Sequence, residues 1–196
     1  LIIILALQLL VRGDKEIEII FARSFASSVL GKILAQQFGM REDNVKRVEL
    51  GGLFSEIGRM MIVLYKKLHA ADDARIDEIF IRKYHPYLAE RIIDKFALPD
   101  YLKQMIFSES IVVEESYITV SGIAQLAINF VAAGFHKFNN RLVIEAVFPP
   151  VSGRDETVVL EKIVEDQFNA VNLGKYLNII RKRERLLPRY ESKKKR

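Results

Sequence analysis

The chain has 196 residues, half of them hydrophobic and 28% charged, a balance that suits one sizeable globular domain with room for an appendage. It contains no cysteine, which excludes disulfides, thiolate zinc sites and a cysteine nucleophile and fits a reducing, cytoplasmic compartment. Its formal charge of +5 is uneven: residues 181–196 carry nine Lys/Arg against two Glu, so the remaining chain is mildly acidic and presents no general basic surface.

In chain order, Leu1–Val11 is apolar except for Gln8. That run falls short of the roughly 20 residues a bilayer requires and lacks the flanks of a signal peptide, so it reads as a buried core helix, with no transmembrane segment. The opening Leu in place of Met is what a fragment of a longer protein would show. Phe21, Phe25, Val29, Ile33, Leu34 and Phe38 recur at helical spacing and stop at Gly39, a typical C-terminal glycine. Arg41-Glu42-Asp43-Asn44 offers caps to the next helix. From Leu50 through Leu53, Phe54, Ile57, Met61 and Leu64 to Leu68 the apolar spacing predicts one helix with a broad buried stripe, the Met60-Met61 pair filling core. His85-Pro86 predicts another helix start, since proline suits a first turn; Leu88, Ile92, Ile93 and Phe96 share its face. Leu98-Pro99 ends it and begins a short helix through Ile106. Residues 108–118 connect, with Ile111–Val113 able to pair as a short strand. Ser121 to about Phe138 reads as a long helix with Ile123, Leu126, Ala127, Phe130 and Val131 inward. Leu142–Phe148 is either a short strand or an extended loop. Asp155 can cap a helix containing Leu160, Ile163, Val164 and Phe168, continued over Leu173–Ile180 with a kink at Gly174. The expected architecture is an all-α helical bundle, with at most a short strand or hairpin near residues 111–113 and 142–148.

One segment stands out: Gly51-Gly52-Leu53-Phe54-Ser55-Glu56-Ile57-Gly58, an apolar helix with paired glycines, one polar couple and a third glycine. Glycine inside a helix costs up to about 1 kcal/mol against alanine, and close packing of a neighbouring helix is the usual compensation. The segment resembles the "GLLHDIG" signature of the HD superfamily, in particular its HDOD branch. Two further blocks appear in the family's order. Phe21-Ala22-Arg23-Ser24 stands where the family often has an aromatic, a variable residue, His and Ser. His85-Pro86-Tyr87-Leu88-Ala89-Glu90 with Phe96-Ala97-Leu98-Pro99 resembles its "H-x-x-x-G/A … W-x-L-P" block. The resemblance covers roughly residues 1–135, with the family domain's usual N-terminal half absent from this chain. It leaves a C-terminal helical extension over 136–180 and a basic tail over 181–196.

The resemblance implies an HD-like bundle from a bacterial signalling protein, and in active members a His-Asp couple that binds metal. Here that couple is Ser55-Glu56, and the earlier histidine is Arg23. Arginine is always cationic and only donates, so it cannot ligate a cation; Ser55 would be a poor ligand; Glu56 alone does not make a site. No catalytic residue, metal ligand or cofactor is therefore assigned. Arg23, Ser55, Glu56 and His85 are the positions expected to contact a ligand. Arg23 and Glu56 either form an ion pair where the metal once sat or are solvated independently. His85 reads as structural, and His69 and His136 as surface residues. The function expected is a non-catalytic regulatory domain that binds a partner protein or a small ligand. Two alternatives remain: a metal-dependent phosphohydrolase with atypical ligands, and an adaptor whose basic tail binds nucleic acid or an anionic membrane.

Overall fold

A computed structural model describes residues 14–69, 76–107, 113–114, 117–132, 162, 165–170 and 174–177. The expected helix over Leu1–Val11, the segment Leu142–Phe148, Ile111-Val112, the Asp155 cap, His136 and the tail lie outside these residues. The protein is an all-α bundle whose described residues include the helices α1 (Lys15–Gln37), α2 (Glu42–Phe54), α3 (Ile57–Leu68), α4 (Glu78–Lys95), α5 (Tyr101–Phe107) and α6 (Val120–Ala132), with further helical residues at 162 and 165–170, within the helix expected around Phe168. A two-residue antiparallel pair, β1 (Val113–Glu114) and β2 (Tyr117–Ile118), precedes α6, with Val113 opposite Ile118. No described helix is long and apolar enough to cross a membrane.

α1 starts where Asp14 accepts from the amides of Glu16 and Ile17 at 3.0 and 3.1 Å, with Glu16 and Glu18 favourably placed on the first turn. It stops as the sequence indicates. Gly39 takes φ 68°, its amide bonds Gln36 O, and the Met40 amide reaches back to Ala35 O, a Schellman ending that glycine accepts without steric cost. α2 begins one residue past Arg41, whose side chain makes no capping bond; Glu42 and Asp43 contribute first-turn charge instead.

The single helix predicted from Leu50 to Leu68 is two. It breaks at Ser55-Glu56 because the Gly52 carbonyl, which a continuing helix would give to the Glu56 amide, is taken by the Ser55 hydroxyl at 2.7 Å and more weakly by the Ser55 amide at 3.4 Å. A serine hydroxyl competing for backbone partners is a recognised source of helix interruption. Of the methionine pair, Met60 is buried but Met61 is exposed, so only the first fills core.

α4 also departs from expectation. It starts eight residues before Pro86, at the cap where Asp77 accepts from the Phe80 amide at 2.7 Å, and it runs through the proline. The missing proline N–H leaves the Arg82 carbonyl without its helical donor, and the ring crowds that carbonyl, the source of the roughly 3 kcal/mol that an interior proline costs a helix. Its C-terminal end repeats the Schellman pattern, with Leu98 N bonding Ile93 O at 2.9 Å but Ala97 in the left-handed position at φ 49°.

The core is built on α1, whose buried Ile17, Ile20, Phe21, Phe25, Leu30 and Leu34 meet α2, α3 and α6. On α6 the residues expected inward, Ile123, Leu126, Ala127, Phe130 and Val131, are all buried. Phe168 is fully buried against Phe25, ring centroids 5.0 Å apart, and Leu177 joins the same cluster, so residues far along the chain complete the core around α1. The chain at Gly174–Tyr176 forms a 3-10 turn where a kink was expected. A second cluster of Leu53, Phe54, Ile93 and Leu102 joins the end of α2 to α4 and α5.

Candidate functional site

The break between α2 and α3 gathers the positions singled out in the sequence. α2 runs antiparallel to α1: a methyl group at Gly31 would touch Val48, and one at Gly52 would lie 2.5–2.7 Å from the backbone of Ser27 and Ser28. One turn further along each helix, that register sets Arg23-Ser24 level with Ser55-Glu56. α3 continues beside α1, since Lys67 near its end bonds Asp14 at the start of α1. On the other side Gly58 meets α4: a methyl there would overlap His85 O and lie 2.8 Å from His85 C. Ser55 and Glu56 thus lie at the break, His85 packs against Gly58 two residues further on, and the α1–α2 register carries Arg23 to the level of the break.

Their chemistry is more specific than their placement. Ser55 is buried, and its hydroxyl donates to Gly52 O. Glu56 is held by a cation that the sequence reading did not single out: Arg59 Nη1 lies 3.9 Å from Glu56 Oε2, while Arg59 Nη2 lies 2.8 Å from Glu78 Oε1 at the head of α4. Arg82 Nε adds a longer contact of 3.7 Å to the same Glu78 oxygen. The Arg59 side chain is only 17% exposed, so these ion pairs are half-buried rather than fully solvated. Arg23 is half-buried, with its Nε enclosed, and the imidazole Nδ1 of His85 is enclosed likewise. Ser24 Oγ, on a residue 1% exposed, makes no hydrogen bond.

The donor set does not suit a divalent cation. One carboxylate of the break faces a guanidinium, the adjacent hydroxyl is committed to a carbonyl, and the third position is arginine. Among the described residues no group of three or more His, Cys, Asp or Glu side chains converges as a metal site would require. Two of the missed contacts had a sequence signal: Glu56–Arg59 and Glu78–Arg82 stand three and four residues apart on single helices. The Arg59–Glu78 contact had none, since it depends on how α3 and α4 pack.

No family model matches the chain, and no curated protein or solved structure matches it.

Proposed function

We propose that the protein is a non-catalytic, HDOD-like regulatory domain of the bacterial cytoplasm that binds a partner protein or a small ligand at the α2–α3 break. The observation that carries this reading is Arg59, whose guanidinium reaches both Glu56 and Glu78. Where the HD resemblance calls for a carboxylate on a metal, this chain offers a carboxylate already neutralised by its own cation. Ser55 supports the reading as well, because its hydroxyl is engaged in forming the break. The segment keeps the glycines that pack the helices and gives its polar positions another use, with Arg23, Ser55, Glu56 and His85 as the ligand-contacting set.

Protein purified without added metal and titrated with Mn, Fe and Mg should bind none of them tightly in stoichiometric amount. A one-to-one complex that survives dialysis, and that Glu56→Gln abolishes, would overturn the reading in favour of an atypical phosphohydrolase.

A further inference from the structure

The outer face of α4 is apolar where a surface helix is ordinarily polar. In the whole chain Ile79 is 62% exposed, Tyr87 60%, Tyr84 41% and Phe80 36%, on the side of α4 turned away from Gly58. Single exposed apolar residues need no explanation, but a contiguous group on one helix does. The rings of Phe80 and Tyr84 lie 4.5 Å apart, and Lys83 sits over the Tyr84 ring at 5.3 Å. Lys83, Glu90 and Arg91 share this face, and none of the three makes an ion pair among the described residues. The neighbouring acids differ: Glu78 is held by Arg59 and Arg82, and Asp94 by Lys103.

The pattern of these charges is self-complementary. At about 100° per residue, Lys83 and Glu90 fall within about 20° of one another on one flank of the face. Phe80, Tyr84 and Arg91 fall together on the other flank, with Tyr87 between the two. When two copies of a helix pair about a two-fold axis they run antiparallel, and each flank meets the same flank of the other copy. The register that sets Lys83 against Glu90 makes that contact twice and brings the axis beside Tyr87. The same register brings Arg91 level with Arg82 of the other copy, midway between Phe80 and Tyr84. Arg82 is itself turned inward to Glu78, so Arg91 meets the aromatic pair and not a second cation. One alignment thus supplies both free cations and the free carboxylate with partners. We infer that the outer face of α4 is a dimer interface between two copies of this chain, paired antiparallel through reciprocal Lys83–Glu90 contacts across Tyr87. A single helix face buries less than a standard interface, so the dimer is a weak one.

Sedimentation of the full chain from micromolar to millimolar concentration tests this. The parent should rise in mass towards a dimer. Lys83→Glu and Glu90→Lys, each alone, place like charges together at both symmetry-related contacts and should weaken association about tenfold. The double variant restores opposite charges, and so does an equal mixture of the two single variants, in which each chain pairs with the other kind. Both should recover the parent's association. A parent that stays monomeric throughout overturns the inference and leaves the face to a different protein. Single variants that associate as the parent does, or a mixture that associates no better than either variant alone, overturn it equally. Both substitutions stand at solvent-accessible positions, and unchanged circular dichroism of each variant separates lost pairing from lost folding.

Discussion

Replacing Gly58 by alanine tests whether the glycine segment is a packing device. The added methyl would overlap His85 O and lie 2.8 Å from His85 C and 3.0 Å from Ala89 N, all backbone atoms of α4. None can swing aside as a side chain would, so α4 must retreat by about 1 Å or break its own hydrogen bonds, an overpacking penalty of about 1–3 kcal/mol. Alanine recovers at most about 1 kcal/mol of helix propensity, less here because Gly58 sits in the first turn. The net loss should be about 2 kcal/mol, or roughly 4–8 °C in Tm for a chain of this length. Gly51→Ala is the internal control. It stands on the same motif, but its methyl meets the thioether of Met105, a flexible side chain that can move, so its cost should stay below about 1 kcal/mol. Urea unfolding of both variants beside the parent measures the difference. Gly58→Ala that unfolds at the same urea concentration as Gly51→Ala, or later than the parent, refutes the close backbone approach.

Ala97→Gly should stabilise the chain by about 0.5–1 kcal/mol, because Ala97 holds φ 49° at the end of α4, where an L side chain is strained; a lower unfolding midpoint would show that the position is not strained. Asp14→Asn keeps the oxygen that caps α1 and removes the charge facing Lys67. Burial pushes the Asp14 carboxyl up, but its bond to Lys67 and the amides of Ile17 and Glu16 outweigh this and hold it below its usual value, while the bond to Asp14 raises Lys67. The stability this carboxylate adds is therefore present above about pH 3.9, the unfolded value, and disappears as pH falls through the lower folded value; that of Lys67 is present below about pH 10.4 and disappears as pH rises through the higher folded value. Parent and Asp14→Asn should differ most at neutral pH and converge at both extremes, and a gap that ignores pH would exclude the charge as its source.

Most helices could be read from apolar spacing, although the predicted stripes are not buried throughout: Met61 and Leu68 on α3 and Phe96 at the end of α4 are exposed. The inward residues of α6 and the glycine that ends α1 follow from local rules alone. The errors fall where a side chain outbid a periodic pattern. The stripe from Leu50 to Leu68 is unbroken in sequence because α2 and α3 lie end to end along the same side of α1; only the Ser55 hydroxyl, taking the Gly52 carbonyl, divides them. At Pro86 the preference of proline for a first turn pointed one way, and the Asp77 cap, which places the start at Glu78, prevailed. The candidate site was legible as positions rather than as contacts. The motif indicated Ser55 and Glu56, but Arg59 acquires its role only when α4 brings Glu78 within 2.8 Å.

The geometry also separates what the glycines of this segment do from what its polar residues do. Gly52 and Gly58 flank Ser55-Glu56, and each faces backbone: Gly52 that of Ser27 and Ser28 on α1, Gly58 that of His85 on α4. Any side chain at either position forces two helices apart, so both glycines are constrained by packing whatever the site does. The two residues between them are not. Ser55 needs only a hydroxyl to close on Gly52 O, and Glu56 needs only a cation, which Arg59 provides from the next turn. The helix crossing is therefore fixed by atoms that carry no chemistry. The polar contacts are made by Ser55, Glu56 and Arg59, whose side chains do not set that crossing.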